Sequence, residues 1–206
     1  MRPSARHCSM VIIGVALLAA LVAHLLRRRC MPFARAVRQC DTGDLVLFRH
    51  RDFSITQAVS HYTHAGLVLV GSDGAKYIVE SHARGDVDKT SAGVNVYDLA
   101  WRIRTYKGTV ALARLRRPLD SRQRDRFARN LDRYRRIPFY PNPGLHYIQN
   151  CIMSLNVQRP PGMFCSEFIG HVQQKIGLRS RRVRTDCLTP SDLANQKYGH
   201  IVRLEV

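Results

Sequence analysis

Three side chains in this sequence have the types and surroundings that acyl-transfer chemistry needs. Cys165 follows the turn Pro160-Pro161-Gly162 and opens an apolar stretch, Phe164 to Ile176, that reads as a helix with Phe168, Ile169, Val172 and Ile176 on its buried side. A helix N-terminus offers unpaired N–H groups and a partial positive charge, which favour the thiolate, and the thiolate is the nucleophile. The N–H of Cys165 would also point to where an acyl oxyanion forms. His64 opens the apolar run Ala65 to Val70, and Glu80 closes the run Lys76 to Glu80. An imidazole beside a thiol takes its proton and later gives it to the leaving group. A carboxylate behind the ring fixes the tautomer and supports the imidazolium. The residues alone leave rivals open: His61, His82, His146 and His171 for the base, Glu167 or Asn95 for the orienting group. A cysteine at an apolar helix start is also commonly a packing residue.

Positioning these groups requires a core. Asp44 to Phe48 (DLVLF), after the turn signal Asp41-Thr42-Gly43, reads as a strand. Ala65 to Val70 and Lys76 to Glu80 read as two strands of a hairpin around the turn cluster Gly71-Ser72-Asp73-Gly74. Val94 to Tyr97 and Val110 to Leu115 are further strand candidates, and Ile55 to His61 a short helix. In Ser121 to Ile137, Phe127, Leu131 and Tyr134 form one apolar stripe of a helix whose other faces carry seven arginines. Pro138 to Gly144 breaks that helix, and Thr189-Pro190-Ser191-Asp192 looks like another helix start. Strands followed by helices predict an α+β domain with a mostly antiparallel sheet.

The segments TGDLVLF, THAGLVLV, YIVES, FCSEFI and TPSDLA occur in that order. The chain thereby resembles the permuted papain-like branch of the NlpC superfamily, in particular the YiiX-like enzymes and their poxvirus relatives, over nearly all of residues 41–206. The resemblance implies a permuted papain-like fold, a small antiparallel sheet packed on helices, with the nucleophilic cysteine at the start of a central helix. It assigns the base to His64 in HAG, the nucleophile to Cys165 in FCSEF and the third polar residue to Glu80 in VES. It implies a thiol hydrolase or acyltransferase that cleaves an amide or ester through a Cys-His-Glu triad and a thioester, on a lipid-linked or peptide substrate. No metal or organic cofactor is expected.

Two features depart from that pattern. Met10 to Leu26 is a run of 17 residues with one ionisable side chain, His24. As a helix it spans roughly 25 Å, the short edge of what a bilayer core requires. It ends in Arg27-Arg28-Arg29-Cys30 without a small-residue cleavage site, which favours an uncleaved transmembrane helix over a signal peptide. The heavier arginine content after the run predicts a single-pass membrane protein with a cytosolic catalytic domain. Residues 1–38 are then membrane anchor and linker, and 39–206 the hydrolase domain. The second departure is the arginine-rich helix.

Composition narrows the alternatives. The 206 residues carry 33 Lys+Arg against 15 Asp+Glu, a net charge of +18, with 45% hydrophobic residues, which excludes a disordered or collagen-like chain. Six cysteines without C-x-x-C spacing suggest neither a structural zinc site nor a dense disulfide framework, and free thiols agree with a reducing compartment. The arginine helix reads first as a solvated face. Contact with anionic lipid is its better functional reading, and nucleic acid is not expected, for lack of an aromatic-interleaved platform. Two rival functions remain: a cell-wall peptidase of the same chemistry, or a non-catalytic membrane-tethered binding module on the same fold.

Overall fold

A computed structural model of the chain describes residues 30–51, 55–83, 87, 92–155, 157–158 and 160–205. Among these, seven strands form one sheet: β1 (Cys30–Pro32), β2 (Leu45–His50), β3 (His64–Val70), β4 (Lys76–His82), β5 (Gly93–Asp98), β6 (Gly108–Leu115) and β7 (Tyr198–Glu205). Their order is β1-β7-β6-β2-β3-β4-β5, with β1 parallel to β7 and all other neighbours antiparallel. The helices are α1 (Phe33–Gln39), α2 (Ile55–Val59), α3 (Leu99–Thr105), α4 (Ser121–Tyr134), α5 (Pro143–His146) and α6 (Cys165–Lys175). A π-helical turn, Tyr147–Ile152, continues α5, and short 3₁₀ turns lie at Thr185–Cys187 and Pro190–Leu193.

The run DLVLF is apolar throughout because β2 is central and both its faces are covered. Leu45 and Leu47 point to one side, where they meet Ala65, Leu67 and Val79 and the helices α4 and α6 through Phe127, Phe168, Ile169 and Val172. Val46 and Phe48 point to the other, against Val68, Ile78, Ala36 of α1 and Leu99 and Ile103 of α3. The result is an α+β domain of three layers. Cys30–Pro32 and α1 belong to it: the first pairs with β7, and Ala36 is fully buried.

The expected fold is corrected on two points. The sheet is a seven-stranded mixed sheet, not a small antiparallel one, because β1 adds a parallel edge and β7 a long C-terminal strand. The expected transmembrane helix, and with it the single-pass membrane localisation, is not supported: no helix among the described residues is long and apolar enough to cross a membrane. The run Met10 to Leu26 itself lies outside the described residues.

Helix α4 begins at an Asp120–Gln123 capping box, and Arg124 bonds Asp41 at 2.9 Å. Arg122, Arg126, Arg129, Arg133, Arg135 and Arg136 are exposed, while Phe127 and Tyr134 are buried.

One glycine is fixed by packing. A Cβ on Gly66 would sit 2.5 Å from Ile78 Cδ1 and 3.4 Å from Glu80 Cβ. Gly66→Ala therefore overpacks the face that carries the polar site. It is expected to cost about 1–3 kcal/mol, read as a lower midpoint in urea denaturation.

Candidate active site

Alternation along the strands sets the site. On β3, His64 shares a face with Gly66 and Val68; on β4, Glu80 shares that face with Ile78 and His82. The two side chains meet across the pair, with His64 Nε2 donating to Glu80 Oε2 at 2.5 Å. Glu80 has no exposed surface, and His64 is 17% exposed. A carboxylate at zero exposure needs cationic partners. Arg102 on α3 supplies the second, donating from Nε to Oε1 at 2.5 Å and from Nη2 to Oε2 at 3.2 Å. Its guanidinium lies over the rings of Phe48 at 4.7 Å and Tyr106 at 5.3 Å.

The nucleophile candidate comes from the opposite layer. Cys165 is the first residue of α6, whose N-terminus has no side-chain cap, and it is 8% exposed. Ser81 donates to the carbonyl of Met163 at 2.8 Å, tying β4 to the segment that precedes α6. The same segment is laid across Pro138–Tyr140, with Met163 N donating to Pro138 O at 2.9 Å. Gly162, at φ +153, sits where a Cβ would lie 3.1 Å from both Pro138 O and Tyr140 N. These contacts bring Cys165 to the start of β3, beside His64.

The electrostatics follow from this contact. Burial alone would lower the pKa of His64; the charges of Cys165 and Glu80 and hydrogen bonds to both outweigh it and raise the pKa from 6.5 to about 10. Burial alone would raise Glu80; attraction and hydrogen bonding from His64 and then Arg102 outweigh it and lower the pKa from 4.5 to about 2. With Nε2 committed to Glu80, Nδ1 is the ring nitrogen left to trade a proton with the thiol. His64, His82, Arg102, Tyr106, Phe164 and Cys165 all line one cavity of about 300 Å³. Geometry and charge together suit proton transfer from the thiol and nucleophilic attack on a carbonyl.

The rival residues lie elsewhere or are engaged. His61 is at the surface, 3.1 Å from Arg49. His146 is buried, its Nε2 3.3 Å from Asp186 and its Nδ1 2.9 Å from Asn150. His171 meets the Thr185 hydroxyl at 3.0 Å. Glu167 is buried on α6, and the Asn95 amide donates to Gly93 O at 3.2 Å. His82 does share the face and the cavity, but one ring nitrogen lies 2.7 Å from Ala83 O and the other 2.6 Å from the Tyr97 hydroxyl.

Arg102 escaped the sequence reading. The available signal was its position: with Leu99 and Ile103 it falls at i, i+3 and i+4 of one buried helical stripe, where a charge is out of place. The reading of all six cysteines as free thiols is also corrected. Cys151 and Cys187 form a disulfide, and the free cysteines among the described residues are Cys30, Cys40 and Cys165. No C-x-x-C spacing could have flagged a pair 36 residues apart. No group of three or more His, Cys, Asp or Glu among the described residues could hold a metal ion.

No protein-family model matches the chain, and no curated protein does. Among solved structures, it is similar to yiiX from Escherichia coli O157:H7, described as a metalloprotein and as DUF1105, at a TM-score of 0.47. The identity is 22%, over 67% of this chain and 67% of that one.

Two outcomes follow from the buried cluster. Arg102→Ala leaves the Glu80 carboxylate underpaired and is expected to cost about 3–5 kcal/mol in chemical denaturation, with Arg102→Lys intermediate because the fork is lost but the charge is kept. The pH profile has two limbs. Glu80, held below its ordinary value, stabilises above pH 4.5, and this is lost as pH falls towards about 2. His64, held above its ordinary value, stabilises below pH 6.5, and this is lost as pH rises towards about 10. The stability difference between wild type and Glu80→Gln should therefore be largest between pH 4.5 and 6.5 and shrink on both sides.

Proposed function

We propose that the chain is a thiol hydrolase or acyl transferase acting on an amide or ester, with Cys165 as nucleophile, His64 as base and then acid, and Glu80 orienting the imidazole. One observation carries the reading: a cysteine at an uncapped helix N-terminus stands beside an imidazole whose far nitrogen is held by a fully buried carboxylate. Arg102 is a positioning residue, acting through Glu80.

The steps balance as follows. His64 holds the proton as imidazolium, and Sγ, as thiolate, attacks the carbonyl carbon. The tetrahedral oxyanion is held by N–H groups of the first turn of α6. On collapse, the bond from carbon to the leaving nitrogen or oxygen breaks. The leaving atom keeps the electron pair and takes the proton from His64, so the acyl group stays on Sγ as a thioester. Water, losing a proton to His64, or another acceptor then attacks the thioester, and Cys165 departs as thiolate.

The disulfide favours one second reading, an exported peptidase of the same chemistry, because disulfides persist in oxidising environments. The substrate would then be a peptide amide outside the cytosol.

Limiting iodoacetamide at mildly acidic pH, followed by peptide mapping, tests the nucleophile. Cys165 is expected to label before Cys30 and Cys40; burial pushes the Cys40 thiol up to about 12 and leaves it inert. Labelling of Cys40 ahead of Cys165 overturns the assignment. With an ester substrate, His64→Ala should lose roughly 10²–10⁴-fold in turnover, while His61→Ala stays near wild type.

A further inference from the structure

Cys165 stands between two unlike spaces. On one side is the cavity of about 300 Å³ that holds His64, walled both by His50, His82, Arg102 and Tyr106 and by Phe139 and Phe164. Adjoining it is a pocket of about 40 Å³ lined by Val59, Tyr147, Ser166, Leu188, Thr189 and Pro190; the two spaces share Thr63, Pro143, Phe164 and Cys165. His64 does not line the small pocket.

This difference orients the substrate. The proton that His64 delivers must reach the leaving atom, so the leaving group occupies the large cavity with the imidazole. The acyl substituent, on the other side of the attacked carbon, then enters the small pocket. Water-sized groups take roughly 10–15 Å³ each of such space, so the pocket admits a chain of a few carbons. Its walls are fixed on three sides. Ser166 Oγ donates to Leu188 O at 2.6 Å. Ser60 and Ser191 hydroxyls meet at 2.9 Å, holding the chain next to Val59 against the Pro190 turn. The disulfide Cys151–Cys187 joins the π-turn that carries Tyr147 to the residue before Leu188.

We propose that the site takes a compact apolar acyl group joined to a larger polar leaving group: a short-chain acyl ester, or an amide whose carbonyl belongs to a small apolar residue. This rests on the thiol-hydrolase reading above. A long lipid acyl chain exceeds the volume of about 40 Å³ that the small pocket offers.

The full chain is mixed with 4-nitrophenyl acetate, butyrate and octanoate, and acylation is read as the nitrophenolate burst together with the intact mass of the Cys165 adduct. The acetyl and butyryl esters should acylate fastest, with a loss of about tenfold or more at octanoyl. Leu188→Ala should shift the optimum towards the longer chain. Among butyryl esters, the glycerol ester should acylate faster than the hexyl ester. A rate that rises through octanoyl, a chain-length profile unmoved by Leu188→Ala, or a preference for the hexyl ester overturns the proposal. If no ester acylates Cys165 while iodoacetamide still alkylates it, the substrate class is wrong and the nucleophile stands. If neither reacts, both readings fall.

Discussion

The Glu80 carboxylate is the constraint on which the rest of the site is built. It has no exposed surface and lies on a sheet face otherwise covered by Ile78, Val68, Phe48 and Leu99. An isolated charge there would cost more than the fold can supply, so Glu80 either protonates or finds cations. It finds two, from different elements: Arg102 on α3 and His64 on β3. Strand β4 therefore has to pair with β3, and α3 has to lie across the same face. Arg102 is held from above by the rings of Phe48 and Tyr106, so β2 joins the same assembly. Gly66 is the concession that packing makes to it, since any side chain there would strike Ile78 and crowd Glu80.

The candidate nucleophile, Cys165, is brought in from the other layer. Helix α6 packs its Phe168, Ile169 and Val172 on the face opposite to Glu80. Only the N-terminal end of the helix, at the mouth of β3, comes level with His64. Small devices fix that end: the Ser81 bond to Met163, the Gly162 crossing and the Ser166 bond to Leu188. A thiol and an imidazole from opposite sides of one sheet meet where the sheet stops, which is also where a cleft can open to substrate.

Parts of this were legible in the sequence and parts were not. The strands that carry His64 and Glu80 stood out because short apolar runs bounded by Gly and Asp turns have few other readings. Helix α6 stood out through its 3.6-residue stripe. Strands β1 and β7 did not, because β1 is only three residues long and Tyr198–Glu205 alternates with polar residues and lacks a strong apolar signal. Arg102 was hidden among 28 arginines, since only its place on the buried stripe of α3 separates it from the solvated ones. Alternation along β4 puts His82 on the same face as Glu80, so strand periodicity could not remove it as a rival. What sets it aside is a pair of hydrogen-bond partners from β5 and from its own strand end, Tyr97 and Ala83.

The disulfide and the free thiol of Cys165 place opposing demands on one small region. Cys151–Cys187 is stable in an oxidising environment, where an exposed thiolate is at risk of capture. Cys165 is only 8% exposed, and it borders both the pocket of about 40 Å³ and the cavity of about 300 Å³, so burial limits access to it. Cys40 is protected by burial that holds it as a thiol. The disulfide ties Tyr147–Ile152 to the residue before Leu188, and both Tyr147 and Leu188 line the small pocket beside Cys165.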